Sequence, residues 1–427
     1  MHNRHIPLML MLSLLLTLVS LVGRDLLGRG LILGLGLVVW SALYFVERSH
    51  GSGETALTAL IMLSIPLSFT DVFGYLKGGS LLCWFYLFII FLTANYFLKG
   101  LAHNDLKLNA LSVTAILVIV VAVIPLLNSP DFVDGLKQYG NIFLSLASIA
   151  VGNLLKPRLS QKDKFMLRLY FVLGSVVAAI GVLIQMTLYF LFGQVTGYMR
   201  ILGSARYAFG FLFMDFSFLS LYLATGCMMA FTLTRVWPEQ RLRLWGAMAL
   251  LLIASVSTSA RTGFAAFIVV FLGYNVLRLL RNMPRNPTRS LIILLATPLV
   301  SWAGYKLLLF FRPAGFTYDS GRSSLNSQAL SIFGQNIWTG VGLGGGTYYE
   351  RFGTIPHNLI FQSLAQGGLL FTVPMIGFLL ALLLSCFRRD QDLFWVLGTV
   401  IVGSMFIPNI FDSRFLIAVF LAMGASL

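Results

Sequence analysis

Two groups of side chains in this sequence could carry chemistry, and both are unusual for so apolar a chain. The first lies in the segment IPHNLIFQSLAQGG, residues 355–368, where His357 and Asn358 follow a proline. The second is a set of arginines next to apolar runs: Arg200, Arg206, Arg261, Arg322 and Arg351. Histidine acts as a base or hydrogen-bond donor near neutral pH, and arginine pairs well with phosphate oxygens. Together they predict the handling of an anionic ligand that carries hydroxyl groups.

Helices that cross a membrane have to position those side chains. Of the 427 residues, 58% are hydrophobic and 11% are charged, and the mean hydropathy is +0.87. A soluble domain carries about 25% charged residues. Apolar runs of about 20 residues, long enough to cross the hydrocarbon core as helices, recur along the whole chain. We therefore predict an all-α fold, a polytopic membrane helix bundle of about 12–14 transmembrane helices.

The apolar runs can be placed along the chain directly. About fourteen spans are long enough to cross a membrane, over residues 6–23, 30–46, 56–74, 81–98, 108–127, 140–155, 166–192, 209–233, 244–259, 262–280, 290–309, 357–386, 393–407 and 414–427. The first run follows a short basic start, as a signal peptide does, but no small-residue cleavage motif comes after it, which favours an uncleaved span. A single integral membrane domain over residues 1–427 is predicted.

The basic residues predict which span ends share one side of the membrane. The net charge is +15, and the positive residues cluster between apolar runs, which favours membrane topology over nucleic-acid binding. Four clusters, each separated from the next by two spans, lie at residues 156–168, 235–243, 278–289 and 388–389. The positive-inside rule therefore places these clusters and both termini in the cytoplasm. A long loop over residues 310–356 is predicted on the outer, periplasmic side.

The arginines named first are predicted on the outer side or at its membrane boundary, against the charge rule. Arg261 is confined most closely, because it lies in STSARTG between two spans with almost no loop. An arginine at mid-membrane costs about 2.5–3.5 kcal/mol, and less at the interface, so it normally faces a polar cavity or a partner. Few carboxylates are predicted outside, which favours an anionic ligand. The alternative is snorkelling to lipid headgroups or pairing with a local acid such as Asp319 or Glu350.

A glycine-rich segment, GVGLGGGTYYERFG at residues 340–353, precedes the His-Asn pair. A dinucleotide site needs a strand before such glycines and a helix directly after them, so we reject that interpretation. The segment instead predicts a tight re-entrant turn that brings backbone close to a ligand or another helix. Pro356 suits a first helical turn, so His357 is expected at a helix N-terminus, where free N–H groups favour anions. The alternative is an interfacial histidine that packs on nearby tyrosines.

Several other chemistries are disfavoured. The three cysteines, Cys83, Cys227 and Cys386, are isolated and lack metal or redox spacing. Asp390 and Asp392 imitate a metal-binding DxD motif, but they lie in a short turn beside arginines, which favours a simple topological turn. We predict no metal site, no cofactor and no nucleic-acid partner.

The order of the polar segments resembles one family. An arginine-and-glycine segment precedes GFLFMDFSFLSLYLA, and then come STSARTGFAAFIV, SGRSSLNSQALSIFGQNIWTGVGLGGG and PHNLIFQSLAQGGLLF. In order, spacing and membrane side these segments are similar to the O-antigen ligase and polymerase superfamily of bacterial envelope polysaccharide assembly. The likeness covers roughly residues 200–371, and the N-terminal half adds only its hydropathy.

This resemblance implies a C-type glycosyltransferase in the bacterial inner membrane with its active site facing the periplasm. The reaction would be a metal-independent, inverting transfer of a glycan from undecaprenyl pyrophosphate. Catalytic roles fall on His357 and Arg261. Substrate binding falls on Arg322, with Arg200, Arg206, Asn358 and Arg351 as further candidates. The implied partners are the lipid-linked glycan, membrane lipids, and a chain-length regulator and flippase of the same pathway.

One position departs from the family pattern. The family often has an acidic residue before the glycine that follows the His-Asn turn, and this chain has Gln366 there. If that acid takes part in the reaction, another carboxylate must replace it. Asp215, Asp319 and Glu350 are the alternatives, and the sequence does not rank them.

Three functions are compatible with these patterns. A polymerase, which moves the glycan onto the next lipid-linked repeat unit, is favoured by the segment GFLFMDFSFLSLYL. A ligase would move the glycan to lipid A core or to a protein. A transporter of lipid-linked oligosaccharide is disfavoured, because transporters often contain internal repeats and no clear repeat is visible here.

Overall fold

The structure is a computed structural model that describes residues 5–22, 27–77, 82–103, 109–202, 206–282, 287–311, 322–346 and 355–427. Its α-helices, numbered in chain order, are α1 Ile6–Val22, α2 Arg29–Arg48, α3 Gly53–Ser64, α4 Trp84–His103, α5 Ala110–Val121, α6 Val123–Leu127, α7 Phe132–Leu155, α8 Gln161–Phe192, α9 Phe216–Val236, α10 Arg241–Ser257, α11 Arg261–Asn282, α12 Pro287–Phe311, α13 Arg322–Gln335, α14 Leu359–Arg389, α15 Gln391–Ser404 and α16 Phe415–Ser426. Each predicted span overlaps one or more of these helices.

The helices have the composition of a multi-pass membrane bundle. Within the described residues, six are long and apolar enough to cross a membrane: Arg29–Arg48, Ala110–Leu127, Gln161–Phe192, Phe216–Val236, Arg261–Leu279 and Leu359–Arg389. Shorter apolar helices accompany them over Ile6–Val22, Gly53–Leu67, Trp84–Leu98, Gln391–Ser404 and Phe415–Ser426. The predicted class of fold, a bundle of apolar helices, is confirmed.

A β-hairpin interrupts the otherwise helical order, which the sequence did not predict. Strand β1 Tyr198–Leu202 pairs with β2 Arg206–Phe211 in antiparallel register. The buried Gln185 side chain of α8 holds the hairpin, because its Nε2 donates to the Tyr198 carbonyl at 3.2 Å and its Oε1 accepts from the Phe211 amide at 2.8 Å. The predicted span 209–233 therefore begins as a strand and becomes helical only at Phe216.

Polar contacts gather the basic clusters at one end of the bundle, hereafter the basic end. Arg168 near the start of α8 forms an ion pair with Asp390, between α14 and α15. Arg235 near the end of α9 donates to Asp392 at 2.8 Å, and Lys156 donates to the Leu427 carbonyl at 2.6 Å. These contacts support the prediction that successive clusters share one side.

Close helix packing brings α16 against α7. Gly152 of α7 faces Gly424 of α16, and a Cβ added at Gly152 would lie 2.5 Å from the Leu421 carbonyl oxygen. Small residues are common at membrane helix contacts because they let two backbones approach. The contact places α16 beside α7, and Asp412, which precedes α16, accepts from Asn141 of α7.

Helix α14 is interrupted at Gly368, and the glycine-rich segment supplies hydrogen-bond partners for the backbone there. Gly368 has φ 58° and ψ −163°, so the regular hydrogen bonds stop there. The Val341 and Gly342 amides donate to the carbonyls of Ala365 and Gln366, both at 3.0 Å. In return, the amides of Leu369 and Leu370 donate to the carbonyls of residues 337 and 338. Freed backbone groups are costly in a membrane unless protein satisfies them, and the glycine-rich segment makes the predicted close backbone contact with another helix.

The predicted outer loop over residues 310–356 is partly helical. Helix α13 lies within it and packs against the first half of α14. The glycine-rich segment then passes from α13 across the break in α14. The described residues of this loop therefore pack against the helices.

Candidate functional site

A cavity of about 400 Å³ opens at the end of the bundle opposite the basic end, hereafter the pocket end. Helices α7, α9, α14 and α16 all begin around it. Its polar lining comes from Tyr86, Asp134, Lys137, Gln138, Asn141, Asp215, Gln362, Gln366, Asn409, Asp412 and Arg414. Helix N-termini carry partial positive charge, so their convergence favours a ligand with negative charge.

One face of α7 supplies a wall of the cavity. Asp134, Lys137, Gln138 and Asn141 follow the three- and four-residue spacing that keeps side chains on one helical face. Lys137 is exposed, whereas Gln138 is 8% exposed. The wall therefore offers an exposed cation and, beside it, a buried amide.

Gln366 lies in a buried network of three glutamines. The Gln138 Nε2 donates to Gln366 Oε1 at 2.9 Å, and Gln362 Nε2 donates to the same oxygen at 3.1 Å. The Gln366 Nε2 donates to the Gly344 carbonyl at 2.6 Å, and Gln138 Oε1 accepts from the Gly344 amide. A neutral amide fits here because the position needs both a donor and an acceptor. Gln366 thus joins the glycine-rich segment to α7 and α14.

The network continues to a carboxylate. The Gln362 Oε1 accepts from the backbone amide of Asn409, whose side chain donates to Asp412 Oδ2 at 2.7 Å. The Asn141 side chain donates to Asp412 Oδ1, also at 2.7 Å. Burial raises the pKa of Asp412 to about 6, and the hydrogen bonds from the two asparagines oppose that rise. Asp412 is therefore ionised at neutral pH and a stronger base than an ordinary aspartate.

Arg414 lies two residues further on and is only 3% exposed. Its guanidinium carbon is 4.1 Å from the centroid of the Phe69 ring and 4.9 Å from that of Tyr86. Its backbone has φ 60°, an unusual conformation for a residue with a side chain. A buried arginine in a membrane protein is costly, and such residues commonly mark ligand pathways. Arg414 is the buried cation of this cavity.

Two other carboxylates of the cavity have roles in the fold. Asp215 caps α9, because its Oδ1 accepts from the amides of Ser217 at 2.6 Å and Phe218 at 3.0 Å. Asp134 Oδ2 accepts from the Gly345 amide at 2.7 Å. Of the alternatives to an acid at position 366, Asp215 therefore does reach the cavity, but its carboxylate is committed to capping.

His357 and Asn358 come directly before α14, which begins at Leu359, so the prediction that Pro356 forms the first helical turn is wrong. The His357 Nδ1 contacts the Ile355 carbonyl at 2.9 Å, and Ile355 lines the cavity. A carbonyl only accepts, so Nδ1 carries the proton and Nε2 is the acceptor nitrogen in the neutral ring. Asn358 caps α14 through its Oδ1, and its Nδ2 donates to the Met405 carbonyl at 3.2 Å. His357 thus lies beside the cavity, while the Asn358 side chain serves the fold.

Two of the predicted arginines, Arg206 and Arg261, lie on an adjacent corner. Arg261 begins α11 and is half-buried, and Arg206 Nε donates to Ser259 Oγ at 3.2 Å. The Arg206 guanidinium is 5.4 Å from the Phe216 ring centroid, and Phe216 follows Asp215 of the cavity. Arg200 pairs with Ala208 in the hairpin and is exposed. This corner, formed by Arg206 and Arg261, borders the cavity without lining it.

The remaining predicted residues are only partly described. Arg322 begins α13. Arg351, Asp319 and Glu350 lie outside the described residues. Within the described part of the chain, no group of three or more potential metal-ligating side chains comes together.

Sequence reasoning missed Asp412 and Arg414. The available signal was the segment NIFDSRF, where an acid and an arginine interrupt two apolar spans in a turn too short for a soluble loop. The same argument that singled out Arg261 applies to Arg414. No protein-family model matches the chain, and a search of curated proteins finds no match either.

Proposed function

We propose that this protein is a polysaccharide polymerase that uses a lipid-pyrophosphate donor. It transfers an undecaprenyl-pyrophosphate-linked glycan onto the next lipid-linked repeat unit at the pocket end of the bundle. The observation that carries the proposal is the pairing of a buried arginine, Arg414, with a basic carboxylate, Asp412, in one cavity of an apolar helix bundle.

The pyrophosphate is the leaving group, and its negative charge grows as the sugar–oxygen bond breaks. Arg414 supports that charge from inside the cavity, and Arg206 and Arg261 lie on the bordering corner. Cations fixed in a water-poor site stabilise developing charge more strongly than they do in water. The converging helix N-termini act in the same direction.

The acceptor hydroxyl loses a proton as its oxygen attacks the anomeric carbon. Asp412 takes that proton, since its pKa of about 6 leaves it ionised at neutral pH yet basic enough to help. The new bond joins the acceptor oxygen to the anomeric carbon, the bond to pyrophosphate breaks on the opposite face, and the configuration inverts. His357, with Nε2 as acceptor, orients the acceptor sugar at the edge of the cavity.

Membrane orientation follows from charge. The basic end carries the four positive clusters, and the positive-inside rule assigns it to the cytoplasm. The cavity then faces the periplasm, where lipid-linked repeat units are joined, in a bacterial inner membrane. A C-type glycosyltransferase fold with a re-entrant periplasmic loop is part of this proposal.

Reconstitution tests the proposal. Purified protein in vesicles is given lipid-linked repeat units, and products are separated by gel and mass spectrometry. A polymerase makes a ladder of longer lipid-linked chains, and Arg414→Gln does not. Product that forms only when lipid A core or an acceptor protein is added would indicate a ligase instead. Movement of labelled repeat units across the vesicle membrane without a new glycosidic bond would overturn the assignment as an enzyme.

A further inference from the structure

A second cavity, of about 330 Å³, lies at the basic end between α9, α11, α14 and α15. Arg235 and Arg278 line it together with Tyr274 and Trp395. None of these residues takes part in the proposed transfer, because the cavity lies at the opposite end from Asp412 and Arg414. It is a separate concave site between membrane helices.

The charge of this cavity is positive. Arg235 is exposed and uses Nη1 to contact Asp392 at 2.8 Å. Arg278, one turn after Tyr274 on α11, is half-buried and adds a second guanidinium. Arg388 at the end of α14 is exposed and close in sequence to the cavity residue Gln391. Among the described residues, the cavity lining therefore holds two arginines and no carboxylate, and Arg235 retains donors beyond its contact with Asp392.

The walls of this cavity suit a lipid. Its floor is aromatic, with the Tyr274 and Trp395 rings 5.4 Å apart and edge to face. At its rim, Leu277 is 48% exposed and Phe387 is 47% exposed. In a membrane bundle such side chains face acyl chains, and tyrosine and tryptophan are common at the level of the headgroups.

We propose that this cavity binds the headgroup of an anionic phospholipid from the leaflet at the basic end. The two arginines contact the phosphate, and the acyl chains lie along Leu277 and Phe387. Basic pockets between membrane helices on the cytoplasmic side bind anionic headgroups in this way. The apolar rim favours a lipid over a soluble anion, since a free phosphate gains nothing from it. This inference does not depend on the proposed enzyme activity.

Native mass spectrometry of the purified protein tests the site. The protein is titrated with phosphatidylglycerol and, separately, with phosphatidylcholine. We expect preferential retention of phosphatidylglycerol and about fivefold weaker binding in Arg278→Gln, because one arginine near the membrane surface contributes about 1 kcal/mol. Arg243→Gln is the matched control, since Arg243 is an exposed arginine of the same end that does not line the cavity.

Two outcomes overturn the proposal. One is equal loss of binding in Arg243→Gln and Arg278→Gln, which would indicate diffuse attraction to the basic surface. The other is displacement of the lipid by inorganic phosphate at similar concentration, which would indicate a site for a soluble anion. If Arg278→Gln does not fold, Phe387→Glu repels the phosphate while keeping both arginines, and it must also weaken phosphatidylglycerol binding.

Discussion

The two ends of the bundle use the same residue types in different ways. At the basic end, Arg168 contacts Asp390 and Arg235 contacts Asp392, so the charges hold helices together directly. At the pocket end, the Asp412 oxygens accept from asparagine amides, and Arg414 lies over two aromatic rings. Asparagine amides and aromatic rings contact these two charged groups, and the charge of Arg414 also opposes the rise that burial causes in the pKa of Asp412. The ion pairs at the basic end join one helix to another, whereas Asp412 and Arg414 line a cavity that a charged ligand could enter.

The largest effect is expected from Asp412→Asn. Removing a general base lowers turnover by about 10²–10⁴-fold, while Asp392→Asn at the basic end leaves turnover of the folded protein unchanged. Wild-type activity is expected to fall as the pH drops through about 6, because Asp412 then becomes protonated. Initial rates of chain elongation, measured from about pH 5 to about pH 8, test both effects. This range extends about one unit or more to either side of the pKa of Asp412.

The stability linkage of Asp412 has a defined sign. Its folded pKa of about 6 lies above the ordinary value of 3.8, so its contribution to stability is fully present below pH 3.8 and is lost as the pH rises through about 6. Melting temperature and activity should therefore change in opposite directions across that window. An unaltered pH profile in Asp412→Asn would exclude Asp412 as the base.

A pair of arginine substitutions compares the two ends directly. Arg414→Gln is expected to reduce transfer by about 10²–10³-fold, the usual cost of removing a fixed electrostatic group. Arg168→Gln is expected to cost about 3–5 kcal/mol in the free energy of unfolding, because it leaves Asp390 without its ion-pair partner. Its remaining folded fraction should keep normal turnover.

Transfer activity per folded molecule separates a loss of turnover from a loss of folded protein. Size-exclusion chromatography gives the folded fraction of each variant. The comparison between the ends fails if Arg168→Gln loses turnover as severely as Arg414→Gln does.

The smallest of these effects concerns the break in α14, the helix that carries Gln362 and Gln366. Gly368→Ala is expected to lower the free energy of unfolding by about 1–3 kcal/mol, because alanine is strained at φ 58°. A Cβ there would also overlap the Trp338 carbonyl. Gly377→Ala is the control on the same helix, since no atom lies within 4 Å of an added Cβ. Thermal unfolding in detergent measures both, and equal melting temperatures would mean that the break tolerates a side chain.

Sequence reasoning succeeded where the signal was local. Apolar runs located the helices, and the spacing of basic clusters predicted that they share one end. The glycines at residues 340–346 predicted a close backbone contact, and the structure supplies it at Gln366 and Gly368. The hairpin was missed because its strands depend on Gln185 of a preceding helix, a contact that hydropathy does not encode.

The candidate site was predicted only in part. His357 and the corner of Arg206 and Arg261 lie at the pocket end, but Asp412 and Arg414 line the cavity and the predicted arginines do not. Gln366 drew attention as a missing acid, and its amide instead joins three segments of the chain. A residue type at one position does not reveal which neighbours it will meet.

The sequence by itself determined that this chain forms apolar helices and that its positive clusters gather at one end. Hydropathy and charge are sums over neighbouring residues, so they can be read along the chain. Tertiary structure alone decided which polar groups meet: Gln138 contacts Gln366 across 228 positions, and Asn141 contacts Asp412 across 271. These side-chain contacts depend on which helices pack together. Close contacts such as that of Gly152 with α16 determine the helix packing.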